Sequence, residues 1–243
     1  MQCGCHPALL EWVEKSWSDN ADKPTFREAV EFLGKVLEGR PYWGQGGSDE
    51  GIQLVSLSPE TREFGEIAAR FRETLPQATT WSELIEFIQN HDGPLYESFL
   101  LQVETLKKQM GANWDEGRMR QMLFHGTNAV EAIVNSVDGH GFLPMLAGTS
   151  TGAIWGNGTY FARDARYSND YARTLASGDK QMMLVDVLVG QSTQGAEGMK
   201  VCPFLPGQSY ARYNSLVNSV QNPSIFVVQH SNQAYPSYLI TYH

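Results

Sequence analysis

Apolar side chains recur every three or four residues through most of the first half of the chain, the spacing that brings them onto one face of a helix. Two such runs within residues 8–38 predict a pair of helices around a polar turn that contains proline. A third run begins after Ser58 and Pro59, residue types that favour a helix start, and a fourth ends at Gly111. The pattern of residues 80–90 leaves a helix and a strand equally open.

Short apolar runs broken by glycine dominate the second half of the chain and predict β-strands. After a first short strand near residue 54, they lie in the segments RQMLFHG, GTYFA, QMMLVDVLVG, SIFVVQH and SYLITYH. Helices are predicted in this half only near residues 128–137 and 164–176. A chain whose helices precede most of its strands is typical of an α+β domain with largely antiparallel sheets.

The stretch GRPYWGQGGSDEG, residues 39–51, is rich in glycine and broken by proline, which is the composition of a linker. We therefore divide the chain into a helical appendage with its linker, residues 1–50, and one larger domain, residues 51–243. The total of 243 residues is ample for a domain of ordinary size beside a short appendage.

Composition narrows the range of partners and compartments. The formal net charge of −9 argues against general affinity for nucleic acid or anionic membranes, which need clustered lysine and arginine. No run approaches the ~20 apolar residues of a membrane helix, and no signal peptide is visible. Three cysteines, Cys3, Cys5 and Cys202, offer no disulfide framework and no complete set of metal ligands. We expect an intracellular protein, cytoplasmic or nuclear, without a metal, a membrane partner or a nucleic acid; its oligomeric state stays open.

Two segments combine strand-like apolar residues with glycine and a chemically versatile side chain. LFHGT places His125 at the end of a predicted strand, and GNGTYFA places Tyr160 just after two glycines. A second tyrosine, Tyr171, follows within a predicted short helix, where it would share one face with Tyr167.

These residue types could together bind nicotinamide riboside. Two tyrosine rings can enclose a flat aromatic ring, and a histidine can hold a sugar hydroxyl. The hydroxyl of Ser168 and the backbone of Gly126 could read a carboxamide, which both donates and accepts hydrogen bonds. The same residues also fit purely structural roles, since packed tyrosines and Gly-Asn-Gly turns are common. Composition and spacing alone leave both interpretations open.

Five blocks, in the same order and spacing, resemble the catalytic domain of the poly(ADP-ribose) polymerase family: LFHGT, GNGTYFA, YSNDYA, NPSIFVV and QAYPSYLITY. The similarity covers roughly residues 54–243 and is greatest to the mono-ADP-ribosylating branch. It implies the ADP-ribosyltransferase fold, an α+β fold of two packed, mainly antiparallel sheets with flanking helices. It also implies NAD as co-substrate and proteins as acceptors of ADP-ribose.

The resemblance also implies roles for individual residues. His125 matches the residue that holds a ribose hydroxyl of NAD, and Tyr160 matches the residue that stacks on nicotinamide. Ile225 occupies the third signature position, where chain-elongating members carry glutamate. The remaining cofactor-binding candidates are Gly126, Thr127, Phe161, Ser168 and Tyr171.

Ile225 decides between two kinds of product. An isoleucine neither accepts a hydrogen bond nor acts as a base, so synthesis of a polymer is not expected. Transfer of a single ADP-ribose unit to a protein side chain remains feasible, because positioning and electrostatic support carry much of that reaction. We therefore predict a mono-ADP-ribosyltransferase with His125, Tyr160 and Ile225 at its signature positions. The alternative is a catalytically inactive interaction module that has kept the fold.

A second departure from the family pattern lies in the segment GFLPMLAG. Related loops often carry a basic residue near the NAD diphosphate, whereas Leu143 and Pro144 are neutral. Arg163 and Arg166 are the candidates to compensate for this loss.

The appendage has a resemblance of its own. The segment HPALLEWVEKSWSDNADKPTFREAVEFLGKVL is similar to the last helices of a tyrosine-kinase-like protein kinase, with KPTF as the turn. No glycine-rich phosphate loop, HRD or DFG run accompanies it, so a kinase is not expected. The segment is either the remnant of a fused kinase or a plain helical hairpin.

Overall fold

The computed structural model describes residues 54–75, 84–90, 93–134, 141–144 and 153–243. The two helices predicted within residues 8–38, the linker and the boundary between residues 50 and 51 lie outside these ranges. The division into an appendage and a larger domain therefore stays a prediction.

Helices in the described ranges are few, and most are short. The α-helices are α1 (Arg62–Thr74), α2 (Gly93–Met110), α3 (Glu116–Met119), α4 (Val130–Val134) and α5 (Ala165–Asn169). Short 3-10 helices span Gly111–Asn113 and Ser231–Gln233. None of the helices in the described ranges is long and apolar enough to cross a membrane.

Hydrogen-bonded strands form the rest of the framework. They are β1 (Leu54–Ser56), β2 (Leu84–Asn90), β3 (Arg120–His125), β4 (Thr159–Ala162), β5 (Arg173–Thr174), β6 (Lys180–Leu188), β7 (Ser192–Gln194), β8 (Ser215–Val217), β9 (Ile225–Val228) and β10 (Ala234–Tyr242). Their order is β1-β2-β10-β6-β3-β4-β9-β8-β7, with β5 beside β6. Neighbours are antiparallel, except that β7 and β8 are parallel.

The sheet consists of two halves that share one core. Strands β3 and β4 are joined by a single residue pair, Phe124 and Ala162, so the order divides there into β1-β2-β10-β6-β3 and β4-β9-β8-β7. Buried residues of both halves, among them Val185 on β6 and Phe226 on β9, belong to one apolar cluster. The two halves therefore pack against each other, which confirms the predicted α+β fold with two packed, mainly antiparallel sheets.

Helix α1 covers the outer face of the first half of the sheet. The predicted helix start is confirmed, because the Thr61 hydroxyl caps the helix by accepting the N–H of Phe64 at 3.2 Å. The buried ring of Phe71 packs against Tyr242 on β10, with 5.0 Å between ring centroids. Burial of such a ring stabilises the fold by roughly 1.5–3 kcal/mol, and it holds α1 against the sheet.

Pairing with neighbouring strands determines the structure of two segments for which a helix was considered or predicted. Residues 84–90, whose pattern fits both a helix and a strand, form β2 between β1 and β10. The helix predicted near residues 164–176 is shorter than expected, since α5 ends at Asn169 and Arg173–Thr174 pair with β6. Hydrogen bonds to β6 override the local helical pattern there. Tyr171 consequently lies in the turn between α5 and β5 and not on the helix.

Candidate active site

His125 ends strand β3 and is bonded to the backbone of β4. Its Nδ1 lies 2.7 Å from the carbonyl oxygen of Tyr160. A carbonyl oxygen only accepts hydrogen bonds, so Nδ1 carries the proton and Nε2 holds a lone pair. Burial lowers the pKa of His125 to about 4, although the bond to Tyr160 acts in the opposite direction. The imidazole is therefore neutral at pH 7 and presents Nε2 as an acceptor.

Two phenylalanine rings support the imidazole of His125. The ring of Phe142 meets it edge-on with 5.2 Å between centroids, and Phe161 lies at the same distance. Phe142 and Phe161 also contact each other within the apolar core. Phe161 is only 1 % exposed and offers almost no surface to a ligand. Phe161 packs against the imidazole of His125, and its role in cofactor binding stays a prediction.

The loop that precedes β4 holds the hydroxyl of Tyr160. This hydroxyl accepts the N–H of Trp155 at 3.0 Å and donates to the carbonyl oxygen of Gly156 at 2.7 Å. Burial raises the pKa of Tyr160, the bond from Trp155 partly opposes this shift, and nearby Tyr171 adds to it. Tyr160 is thus an immobilised neutral ring, suited to stacking and not to proton transfer.

Tyr167 and Tyr171 form a pair of rings close to Tyr160. Their ring centroids are 5.5 Å apart at an interplanar angle of 45°. Burial is the main cause of the raised pKa of Tyr167, and a hydrogen bond to Tyr171 raises this pKa further. Tyr171 remains 39 % exposed. The contact expected between Tyr167 and Tyr171 is therefore present, although a turn and not a helix face brings them together.

Close packing between two backbone segments explains why residue 126 is a glycine. A Cβ atom at this position would lie 1.9 Å from the carbonyl oxygen of Ser168 and 3.0 Å from the backbone nitrogen of Ala172. The end of β3 and the end of α5 thus meet backbone to backbone, which brings Gly126 and the buried Ser168 together. The glycine is required for this approach, whereas the approach of a ligand that the sequence suggested stays a prediction. Next to it, the Thr127 hydroxyl accepts the N–H of Ala129 at 3.1 Å.

Ile225 begins β9 directly opposite Ala162 on β4. It is 5 % exposed, and its backbone N–H donates to Oδ1 of Asn218 at 3.0 Å. Side chains alternate along a strand, so Ala162 and Tyr160 share one face of β4. Ile225 therefore brings an apolar side chain to the face of the sheet that carries Tyr160.

The arginines considered as diphosphate contacts differ in their surroundings. The guanidinium of Arg163 pairs with the carboxylate of Asp164 at 3.2 Å and donates to Oδ1 of Asn222 at 2.8 Å. Arg166 is exposed on α5. The neutral loop that begins with Leu143 continues through residues 145–152, which lie outside the described ranges.

Three residues belong to the site although the sequence analysis did not single them out: Phe142, Trp155 and Asn218. Trp155 carried a signal, since it directly precedes the block GNGTYFA. Nothing in the local pattern marks Phe142 or Asn218 in the same way. Among the described residues, no group of three histidine, cysteine, aspartate or glutamate side chains could hold a metal ion.

Comparison with known proteins identifies a family. The family model of the poly(ADP-ribose) polymerase catalytic domain matches residues 61–200, a range that includes His125, Tyr160, Ser168 and Tyr171. The chain belongs to this family. Ile225 lies beyond the matched residues.

Several relatives carry more specific names. The chain is 36 % identical over 202 residues to the protein mono-ADP-ribosyltransferase PARP12 of Homo sapiens, an alignment that covers 83 % of this chain and 27 % of that protein. It is 35 % identical over 221 residues to PARP11 of Mus musculus, with 83 % and 64 % covered. It is 37 % identical over 192 residues to PARP14 of Homo sapiens, with 78 % and 10 % covered. The chain thus spans less than two thirds of each of these relatives.

Proposed function

We propose that this chain is a mono-ADP-ribosyltransferase, which transfers one ADP-ribose unit from NAD to a protein side chain and releases nicotinamide. One observation carries the proposal: the neutral imidazole of His125 is fixed by the Tyr160 carbonyl, so that Nε2 remains as an acceptor. Relatives named protein mono-ADP-ribosyltransferases support the same activity. The catalytic region in this proposal comprises residues 51–243.

Each residue of the site has a task in holding NAD. Nε2 of His125 accepts a hydrogen bond from a ribose hydroxyl. The rings of Tyr160 and Tyr171 enclose the nicotinamide ring, an arrangement that aromatic side chains favour. The backbone of Gly126 and the hydroxyl of Ser168 bind the carboxamide, which needs a donor and an acceptor. These contacts orient the ribose before any bond changes.

Transfer exchanges one bond for another at C1′ of the ribose. The bond between C1′ and the nicotinamide nitrogen breaks, and nicotinamide leaves as a neutral molecule with both bonding electrons. The acceptor side chain donates an electron pair to C1′, and an acceptor that carries a proton on the attacking atom releases it to solvent. The protein contributes by positioning the ribose while positive charge develops on it.

Ile225 limits the product to one unit in this proposal. Growth of a chain requires a group that orients the hydroxyl of an ADP-ribose already attached, and a buried isoleucine has no such group. A carboxylate on the acceptor protein can supply the negative charge that Ile225 lacks. Attachment of the first unit therefore needs no glutamate at this position.

Labelled NAD tests the proposal directly. The full chain is incubated with NAD labelled in its ADP-ribose part and with a mixture of acceptor proteins, and protein-bound label is followed on a denaturing gel. We expect discrete bands for the wild type and a loss of label of about 100-fold for His125→Ala. The control is His243→Ala, which changes an exposed histidine outside the site and should leave the bands unchanged.

Two other outcomes have clear meanings. A high-molecular-weight smear from the wild type would show polymer growth and contradict the role given to Ile225. An absence of label, with the acceptor mixture present, would contradict transfer and favour the inactive interaction module.

A further inference from the structure

A cavity of about 850 Å³ opens near the start of β3, at the opposite end of that strand from His125. Its walls come from the start of β3, the turn between β6 and β7, residues 205–213 and residues 220–223. None of the residues that line it belongs to the candidate active site. The volume lies within the range of about 300–1,000 Å³ that is usual for ligand sites.

Side-chain amides dominate the polar part of the wall. Gln121, Gln191, Gln208 and Gln221 all line the cavity. The amide of Gln121 donates to the carbonyl oxygen of Arg118, whereas the other three amides make no side-chain hydrogen bond within the described part of the chain. An amide offers one acceptor and two donors, which complements the C=O and N–H of a peptide group.

The cavity also reaches the last strand of the sheet. Strand β7 pairs with β8 and with no other strand in the described ranges. The carbonyl of Gln191 and the N–H of Gly195 each bond to the backbone of the β8 segment at 2.8 Å. By alternation, the N–H and C=O groups of Ser192 and Gln194 point to the opposite edge, and Ser192 lines the cavity. The exposed edge of a strand is a template for a further strand.

The charge of the cavity disfavours a strongly charged ligand. Its charged lining side chains are Asp115 and Arg118, which have opposite signs. A nucleotide or another polyanion needs several clustered cations. Leu205, Pro206 and Val220 supply apolar surface, against which uncharged side chains can pack.

We infer that this cavity binds an extended segment of the protein acceptor. The segment adds a strand along the edge of β7 and sets its peptide groups against the glutamine amides. This inference rests on the proposed transferase function, because it names where the acceptor docks. Docking at this end of β3 holds the acceptor without contact to His125 or Tyr160.

A synthetic library of random decapeptides, selected for binding to the wild-type chain, tests the inference. The test variant combines Gln191→Leu, Gln208→Leu and Gln221→Leu, which keep side-chain size and remove the amide groups. The control is Gln109→Leu, since Gln109 is exposed on α2 and does not line the cavity. We expect the selected peptides to bind the wild type and the control equally, and to bind the triple variant at least tenfold more weakly.

Hydrogen exchange distinguishes strand addition from binding by side chains alone. On addition of a selected peptide, the backbone amides of Ser192 and Gln194 should exchange at least tenfold more slowly, because an added strand accepts from them. The inference is overturned if no peptide is enriched, if selected peptides bind the triple variant as tightly as the wild type, or if exchange at both amides is unchanged.

Transfer of label separates failure of this inference from failure of the proposed function. The acceptor is a protein that carries a selected peptide, and KM for it is measured with labelled NAD. A KM at least tenfold higher for the triple variant, with KM for NAD unchanged, supports the docking site. An equal KM for both proteins overturns the docking site while the transferase function stands. Binding of peptides without any transfer of label by the wild type overturns the transferase function, and with it the identity of the docked segment as an acceptor.

Discussion

Strands β4 and β9 lie side by side, yet the chemistry that surrounds Tyr160 differs sharply from that at Ile225. Around Tyr160, polar groups have fixed partners: its carbonyl receives the imidazole N–H of His125, and its hydroxyl is bonded to Trp155 and Gly156. At Ile225, an apolar side chain is buried opposite Ala162 on the neighbouring strand. Fixed polar groups around Tyr160 and an apolar side chain at Ile225 are the arrangement on which the proposal of single transfer rests.

The end of β3, which carries His125, and the start of β9, which carries Ile225, are also held in place by different contacts. The end of β3 is positioned by contact between backbones, since Gly126 meets the carbonyl of Ser168. At the start of β9, a side chain adds to the strand pairing with β4 and β8, because Oδ1 of Asn218 accepts the N–H groups of Ser224 and Ile225 at 3.0 Å each. A substitution at Gly126, at the end of β3, should therefore lower the stability of the protein more than a substitution at Ile225, at the start of β9.

The largest effect is expected from Gly126→Ala. The added Cβ would overlap the carbonyl oxygen of Ser168 at 1.9 Å, and backbone atoms on both sides leave little room for adjustment. We expect the free energy of unfolding to fall by about 3 kcal/mol or more, as measured by urea denaturation. The matched control is Gly65→Ala in α1, where nothing lies within 4 Å of the new Cβ. That change should stabilise the protein by about 0.5–1 kcal/mol. A loss below about 1 kcal/mol at Gly126 would contradict a fixed backbone contact.

A pH dependence of similar size should follow from His125. Burial lowers its pKa to about 4, whereas the ordinary value is 6.5. As the pH falls below 6.5, the unfolded chain binds a proton at this residue and the folded protein does not, so protonation favours unfolding. The stability that the neutral imidazole contributes is fully present above pH 6.5 and is lost as the pH falls through about 4. The free energy of unfolding should decrease by about 3 kcal/mol across this window.

The variant His125→Gln isolates this dependence from the titration of other groups. A glutamine amide can still donate to the Tyr160 carbonyl but does not titrate. Urea denaturation of both proteins at several pH values between 4 and 7 gives the difference in unfolding free energy. We expect the advantage of the wild type to shrink as the pH falls. A difference that stays constant with pH would show that His125 is not held neutral.

A smaller effect is expected from Tyr160→Phe, which keeps the ring and removes the hydroxyl. The N–H of Trp155 and the carbonyl of Gly156 would lose their partner, at a cost of about 1–2 kcal/mol. Hydrogen exchange at the Trp155 amide should become about tenfold faster. The control is Tyr210→Phe, because Tyr210 is 85 % exposed and its hydroxyl faces solvent. Equal exchange rates in the wild type and Tyr160→Phe would mean that the hydroxyl does not hold this loop.

The sequence alone predicted those features of the molecule that depend on local pattern. The strands that carry His125 and Tyr160, and the helix start after Ser58 and Pro59, follow from periodicity and from residue types at segment ends. Contacts between distant segments could not be predicted in this way. The ring of Phe142 against His125 is one example, because it depends on how the two halves of the sheet pack. The early end of α5 is another, since pairing of Arg173–Thr174 with β6 overrides the helical pattern.

The smallest effect is expected from Ile225→Val, which tests whether the side chain at the start of β9 does no more than fill apolar space. Removal of one methylene from a buried position should cost about 1 kcal/mol of stability. Transfer of label from NAD should stay within twofold of the wild type, because Ile225 gives the reaction no donor, acceptor or charge. Ile240→Val makes the same change in a fully buried strand residue, which belongs to an apolar cluster with Phe71 and Tyr242, and should behave alike in both assays. A tenfold loss of transfer in Ile225→Val alone would mean that this side chain contacts the reacting groups, and Ile225 would then belong with His125 and Tyr160 among the residues that orient NAD.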